Sequence, residues 1–405
     1  MTLKIMLGAV PFGCHNIGDE AILECSVKII REVCPDCRIT VSTADEKNTA
    51  SKLGVDTCEL FGFTSSCDRS RLSGVLREQD VFIWCGATGL SAYPEEALDV
   101  LQAAQEAGKK TILWAVGMSS RLNPTKYEVL PGKRRRLLSL VTKCSLNLLD
   151  AIAIEERRRV RRTRRKIAKH LDAADLIIVR DPESRDEVLK CGVTREIVVG
   201  ADPAVLLEPA PIDQVRLPEA VRGALTADVK KIGVCVSTSA PKFKDVPGFI
   251  RYLDYVTADG SAIAVLLPMD PVVDVSLMTD MRARMAHPER AVIVEGTSEP
   301  SEVLAILSKL DVAVSSRLHM LIFASIVGVP MVGISPGSKM DNFMRPFGLQ
   351  PIGTSEDWDF DRLCQETKRL LENKAAFSER SREVRKDLLA RLAVAKVRLG
   401  ALLTS

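Results

Sequence analysis

Arg317 and His319 stand two residues apart in the segment Ser315-Ser316-Arg317-Leu318-His319, and they are the residue types in this chain best placed to do chemistry. The apolar run Asp311–Val314 before them reads as a buried strand. After them, Met320–Val327 reads as a short apolar helix stopped by Gly328, and Pro330–Ser335 as the next strand. In that frame the pair sits where a turn becomes a helix, with Ser315 and Ser316 as the expected N-caps. The first N–H groups of a helix and the positive end of its dipole attract an anion, and an arginine there adds a planar fork suited to phosphate or carboxylate. A histidine beside it can move a proton near neutral pH. Together they predict an enzyme acting on a phosphate or carboxylate compound. The competing reading is structural, with Arg317 paired to a surface carboxylate and His319 merely packed. Against it, the following helix has almost no polar side and must be buried, so its polar tip calls for a use.

A second polar cluster opens the chain. The loop Gly8–Gly18 follows the first strand and leads into a helix whose expected buried face includes Ile22, Ile29 and Val33. It lacks the Gly-x-Gly-x-x-Gly of a dinucleotide loop and the Gly-Lys-Ser/Thr of a P-loop. Asp19 and Glu20 place negative charge in the first helical turn, which disfavours a phosphate there. Asn16, Gly18 and Asp19 fit hydroxyls of a neutral ligand such as a sugar better, with Asn16 also a natural cap and Glu20 a dipole partner.

Arg180-Asp181 follows the strand Asp175–Val179, which places the arginine on the ligand-binding edge of a parallel sheet, unless it merely pairs with Asp181 or Glu183. Asp202, before Pro203, reads as a turn residue. Residues 157–166 hold eight cations in ten positions, and Val160, Ile167 and Leu171 fall on one narrow stripe, so this is an amphipathic helix with a wide basic face. Lys133-Arg134-Arg135-Arg136 adds a second cluster. A solvated face is the ordinary reading of such a run, but eight like charges repel one another, and an anionic membrane surface or lipid diphosphate relieves them. Nucleic acid competes as a partner. With 4% aromatic residues and a net charge of only +3, nucleic-acid binding is not expected. Cys34-Pro-Asp-Cys37 has no companion Cys/His cluster, so no metal is expected.

These residues need a scaffold. At 405 residues the chain exceeds one ordinary core, and 46% hydrophobic residues are enough to build two. Eleven scattered cysteines, no signal-peptide pattern in Met1–Leu7 and no apolar run of membrane-spanning length lead to the expectation of a cytoplasmic protein, with peripheral contact at the inner face of the membrane through 157–166. Short β-branched runs alternate with helical stretches. Expected strands in the first half are Lys4–Val10, Arg38–Ser42, Asp80–Cys85, Thr111–Val116, Asp175–Val179 and Glu196–Val199. The second half adds Lys231–Ser237, Ser261–Leu267, Ala291–Val294, Asp311–Val314 and Pro330–Ser335. Most are apolar throughout, as in parallel strands covered on both faces. The fold class is therefore α/β, with two doubly wound domains and a cleft between them as the default site. The boundaries expected are 1–207, carrying a basic helical segment at 133–172, and 219–405, with the proline-rich stretch 208–218 as linker and a long helix from Ala375 to Leu403 at the end.

Asn16-x-Gly18-Asp19-Glu20-Ala21, Val179-Arg180-Asp181, Ala201-Asp202-Pro203 and Arg317-Leu318-His319 before Gly328-Val329-Pro330 resemble, in order, the polysaccharide pyruvyl transferase family. The resemblance spans most of the chain, and the Arg-Leu-His block is its most specific part. It implies two Rossmann-like domains arranged as in GT-B glycosyltransferases. It also implies transfer of a pyruvyl group from phosphoenolpyruvate to two hydroxyls of a sugar in a cell-surface glycan or its lipid-linked precursor, giving a ketal and phosphate, with no cofactor. Under that resemblance Arg317, the Leu318 N–H and Arg180 hold phosphoenolpyruvate, Ser316 also binds substrate, and the catalytic pair is His319, as general acid, with Arg317, which stabilises charge. Asn16, Gly18, Asp19 and Gly86 serve the substrates. Cys85-Gly86-Ala87-Thr88-Gly89 and Val116-Gly117-Met118-Ser119 depart from the family's glycine-rich loops, on the side expected to face the acceptor. A GT-B glycosyltransferase with a nucleotide-sugar donor is the rival reading.

Overall fold

The computed structural model describes residues 2–63, 69–146, 148–237, 245–297, 299–334, 337–354 and 357–404. The chain divides into two compact α/β units, and the division is not a single cut. The first comprises 1–11, 34–200 and 399–405; the second comprises 12–33 and 201–398. The helix Ile17–Val33 therefore belongs with the second unit, although it follows the first strand of the other. Ile17, Ala21 and Cys25 are built into the second unit's core, and the Ile17 N–H donates to the Met269 carbonyl at 3.0 Å. Residues 201–218 also join that unit, because Ala204, Leu207 and Val215 lie in the same core.

The first unit is a parallel sheet of β1 (Lys4–Gly8), β2 (Arg38–Thr43), β3 (Asp56–Glu59), β4 (Val81–Cys85), β5 (Lys110–Val116), β6 (Leu176–Val179) and β7 (Val198–Val199), in the order β3-β2-β1-β4-β5-β6-β7. Strand β4, Val-Phe-Ile-Trp-Cys, is buried along its whole length, as a central parallel strand must be. Strand β3 was not anticipated: Asp-Thr-Cys-Glu has no apolar pattern, and only edge pairing with β2 makes it a strand. Ala9, Ala87 and Ala115 take left-handed backbone with φ of 60°, 60° and 55° at the carboxyl ends of β1, β4 and β5. The last coincides with a register shift between β5 and β6. Strain of about 1–3 kcal/mol per such residue persists only where the surroundings enforce it, and these three residues lie at the carboxyl ends of their strands.

The second unit is a parallel sheet of β8 (Lys230–Cys235), β9 (Ala262–Leu266), β10 (Ala291–Ile293), β11 (Val312–Ser315) and β12 (Met331–Gly333), ordered β10-β9-β8-β11-β12. All eleven expected strands occur, with ends within about two residues of the expectation. Ser335, the expected end of the last one, falls outside the described residues. The helix Leu318–Ile326 after β11 is buried at every position except His319, which explains its apolar sequence. The terminal helix runs Lys374–Leu403.

Candidate functional site

The site of the second unit lies at the carboxyl ends of β8, β9 and β11, where chain direction aims the next helices' N-termini outward. Strand β11 delivers Ser315 and Ser316, and the helix Leu318–Ile326 begins at Arg317. The serines do not cap it, contrary to the expectation. The Ser315 hydroxyl accepts the Arg317 N–H at 2.8 Å and donates to the Arg317 carbonyl at 3.0 Å, fixing the turn instead. Ser316 Oγ accepts the Ser237 N–H at 3.1 Å, joining β11 to the end of β8. Arg317 itself occupies the N-cap position with β-region backbone, and no side chain caps the helix. The Leu318 N–H thus stands at an uncapped start, as an anion site requires.

Arg317 is held by a carboxylate that sequence spacing alone did not indicate. Its Nη2 donates to Asp274 Oδ1 at 2.7 Å, and Asp270 Oδ2 lies 3.7 Å away. Asp274 is fully buried. Its other oxygen accepts the Met269 and Asp270 N–H groups at 3.2 and 3.0 Å, at the start of the helix Pro271–Ala283. Burial works against the guanidinium charge, but Asp274 and Asp270 outweigh it and raise the Arg317 pKa. The partner is a buried carboxylate rather than a surface one, so Arg317 is a fixed cation and not a surface ion-pair residue. Burial, with Asp274 adding and Arg317 opposing, lifts the Asp270 carboxyl above its ordinary value.

His319 is positioned from the other side by the first helix. A Cβ built on Gly18 would lie 2.1 Å from His319 Nδ1 and 2.2 Å from Cγ, so the imidazole lies against the bare backbone of that residue. Phe323, one turn on, meets the ring edge to face at 6.4 Å between centroids. Nε2 stands 3.6 Å from Asp202 Oδ2, while Asp202 Oδ1 caps the 3₁₀ turn Pro203–Leu206 through the Ala204 N–H at 3.0 Å. Asp202 is thus a turn residue, as read from sequence, and also the acid beside the histidine, which its place before a proline did not reveal. Asn16 accepts the Gly18 N–H through Oδ1 at 3.1 Å and, through its carbonyl, the N–H groups of Asp19 and Glu20, so it does cap. Glu20 accepts the Gly13 N–H at 2.7 Å and folds the entry loop. Asp19 is buried. Burial raises its pKa, and the charges of His319, Lys339 and Arg317 pull back only in part. Lys339, in the helix Ser338–Met344, was not foreseen: its role depends on a chain return that spacing does not reveal.

One unit therefore gathers Asn16, Gly18, Asp19, Ser316, Arg317, Leu318 and His319. Arg180 and Gly86 belong to the other. There the Arg180 side chain is buried and its Nε pairs with Asp181 at 3.2 Å, while Asp181 Oδ1 caps the helix Pro182–Lys190 through the Ser184 N–H. The local ion pair considered from sequence is real. Arg180 also packs on Gly117, whose Cβ would come within 2.8 Å of Nη2. Gly86, at φ 80°, precedes Ala87, whose carbonyl accepts the Gly117 N–H at 2.7 Å, so the loops after β4, β5 and β6 form one network.

The family model of the polysaccharide pyruvyl transferases matches residues 16–338, from the capping Asn16 to the start of the Lys339 helix. The chain belongs to this family. Membership makes it a transferase of polysaccharide biosynthesis with a glycan acceptor. No curated protein matches it. Among solved structures, MnaA of S. aureus in complex with UDP superposes with a TM-score of 0.62 at 12% identity, covering 94% of this chain and 91% of that one. A glycosyltransferase from Rickettsia africae gives 0.56 at 10%, covering 99% and 98%. The UDP-GlcNAc 2-epimerase of Methanocaldococcus jannaschii gives 0.56 at 11%, covering 92% and 93%. These likenesses establish the GT-B-like fold of this pyruvyl transferase family member and nothing finer.

Proposed function

We propose that the protein transfers a pyruvyl group from phosphoenolpyruvate to two hydroxyls of one sugar in its glycan acceptor, forming a cyclic ketal and releasing phosphate. The observation that carries this reading is the pairing, within one helical turn, of a fixed guanidinium with an imidazole seated against Gly18. Arg317, oriented by Asp274, and the uncapped Leu318 N–H would hold an anionic group of the donor, and Arg180 is the second arginine assigned to it. His319 gives its proton to the methylene carbon of phosphoenolpyruvate, leaving C2 electron-poor. A sugar hydroxyl adds to C2 and loses its proton, phosphate departs with the C2–O bonding pair, and a neighbouring hydroxyl adds in its place, giving its proton to the departing phosphate, to close the ketal. Asp202 Oδ2 lies 3.6 Å from Nε2, close enough to balance the charge of an imidazolium. Asp19, a buried carboxylate with a raised pKa, is suited to accept from a sugar hydroxyl.

His319→Ala tests the division of labour. Turnover measured as phosphate release should fall by about 100-fold or more, the usual worth of a general acid, while phosphoenolpyruvate affinity changes little. Loss of affinity with preserved turnover of bound donor would make His319 a ligand instead. A nucleotide sugar that binds where phosphoenolpyruvate does not would replace this reading with a glycosyltransferase.

A further inference from the structure

The first unit carries a helical hairpin that its core does not explain. The helix Lys133–Cys144 buries no residue, and the turn beyond it bears a run of leucines in water. Leu146 and Leu148 are 82% and 83% exposed, Leu137 and Leu140 65% and 61%. Leu137, Leu140, Val141 and Cys144 are spaced three and four apart, so they share one face with Lys133 and Arg136. The opposite face is occupied. Thr142 Oγ1 accepts the Ala151 N–H, Arg134 pairs with Glu155, and Arg135 donates to the Val129 carbonyl.

The second helix of the hairpin, Ala151–Asp172, repeats the arrangement with charge. Thr163, Ile167, His170 and Leu171 are buried on one side. On the other, Ile154, Arg157, Arg158, Arg161, Arg162 and Arg165 are exposed at helical spacing. None of those five arginines pairs with a carboxylate among the described residues. The nearby acids are engaged elsewhere: Glu155 with Arg134 and Arg159, Glu156 with the Val129 N–H, Asp150 as the helix cap, Glu187 with Arg164.

We propose that this hairpin is a docking surface for an anionic lipid bilayer, with the leucines of residues 137–149 entering the headgroup–acyl boundary and the arginine face lying on acidic headgroups. Both halves of the surface need an occupant, and one chemistry satisfies both. A nucleic-acid backbone would answer the arginines and leave the leucines in water, whereas a second copy of the chain would bring two arginine faces together. No helix among the described residues is long and apolar enough to cross a membrane, which fits a segment that lies on one. The proposal is independent of the donor's identity.

The test is co-sedimentation of the full-length protein with vesicles of phosphatidylcholine alone and of phosphatidylcholine with about a third phosphatidylserine. Binding is expected to the anionic vesicles and to weaken with salt. Each of Arg157→Gln, Arg161→Gln and Arg165→Gln should lower the partition coefficient by about fivefold, and Leu140→Ser with Leu148→Ser by at least tenfold. These side chains are exposed, so thermal midpoints should stay at the wild-type value. Equal binding to neutral vesicles, no binding to either, or loss of the leucines without effect would overturn the proposal. So would binding of duplex DNA, or salt-resistant self-association abolished by the leucine changes, in place of vesicle binding.

Discussion

Replacing Gly18 with alanine adds one methyl group at the point where the first helix meets the imidazole. Ordinary contact begins at 3.4 Å, whereas the new carbon would lie 2.1 Å from His319 Nδ1 and 2.8 Å from its Cβ. The ring must therefore retreat by about 1.3 Å. It cannot do so by swinging its tip, because the root of the side chain is also too close and Phe323 stands beside the ring. The stability balance is nearly even. Alanine gains about 1 kcal/mol over glycine inside a helix, and overpacking of this size costs about 1–3 kcal/mol. The net loss expected is at most about 2 kcal/mol, leaving the protein folded. Function is far more sensitive, since a displacement near 1 Å in a reacting group lowers rates about 100-fold. The assay is phosphate release from phosphoenolpyruvate with glycan acceptor, alongside a urea unfolding curve and the imidazole resonances, which four histidines in the chain keep tractable. A folded Gly18→Ala protein with turnover within a few-fold of wild type and an unmoved His319 resonance would refute the claim that this glycine exists to seat the histidine.

Asp274→Ala should destabilise the second unit by about 3–5 kcal/mol in denaturant, because it leaves a buried Arg317 without its partner and two N–H groups without an acceptor; a change below about 1 kcal/mol would mean the pair is dispensable. Asp19→Asn should be a gain of stability bought at the expense of activity. Since burial raises the Asp19 pKa above its ordinary 3.8, its contribution is favourable below that value and is lost as pH rises through the folded-state pKa. The asparagine variant should therefore be more stable than wild type at neutral pH, with the gap closing below pH 3.8; a less stable variant at neutral pH would show that the charges of His319, Lys339 and Arg317 outweigh burial.

The chemistry-bearing residues were legible where local sequence sets their placement. A strand, a turn and a helix occupy fifteen contiguous residues, 312–326, so Arg317 and His319 could be assigned to a helix start from spacing alone. Their partners were not, because contacts made by the fold leave no local trace. Asp274 lies 43 residues from Arg317, and Asp202 meets His319 only after the chain has passed through four strands. Ser315 and Ser316 had the composition of caps, yet a local turn bond to Arg317 and a tertiary bond to Ser237 took their hydroxyls. Strand β3 was invisible for the opposite reason: a half-buried edge needs no apolar pattern. The transfer of the first helix to the second unit follows from burial of Ile17, Ala21 and Cys25, which periodicity shows only as an apolar face without saying what covers it.

The most direct measurement of the central claim is the thermal midpoint of the wild-type protein and of Arg317→Lys, with phosphoenolpyruvate and with UDP- and GDP-sugars. A ligand at about 100 times its Kd stabilises by about 2.7 kcal/mol. A rise with phosphoenolpyruvate is expected, largely lost in Arg317→Lys, since a point charge cannot replace the planar fork. No rise with phosphoenolpyruvate and a clear one with a nucleotide sugar would contradict it.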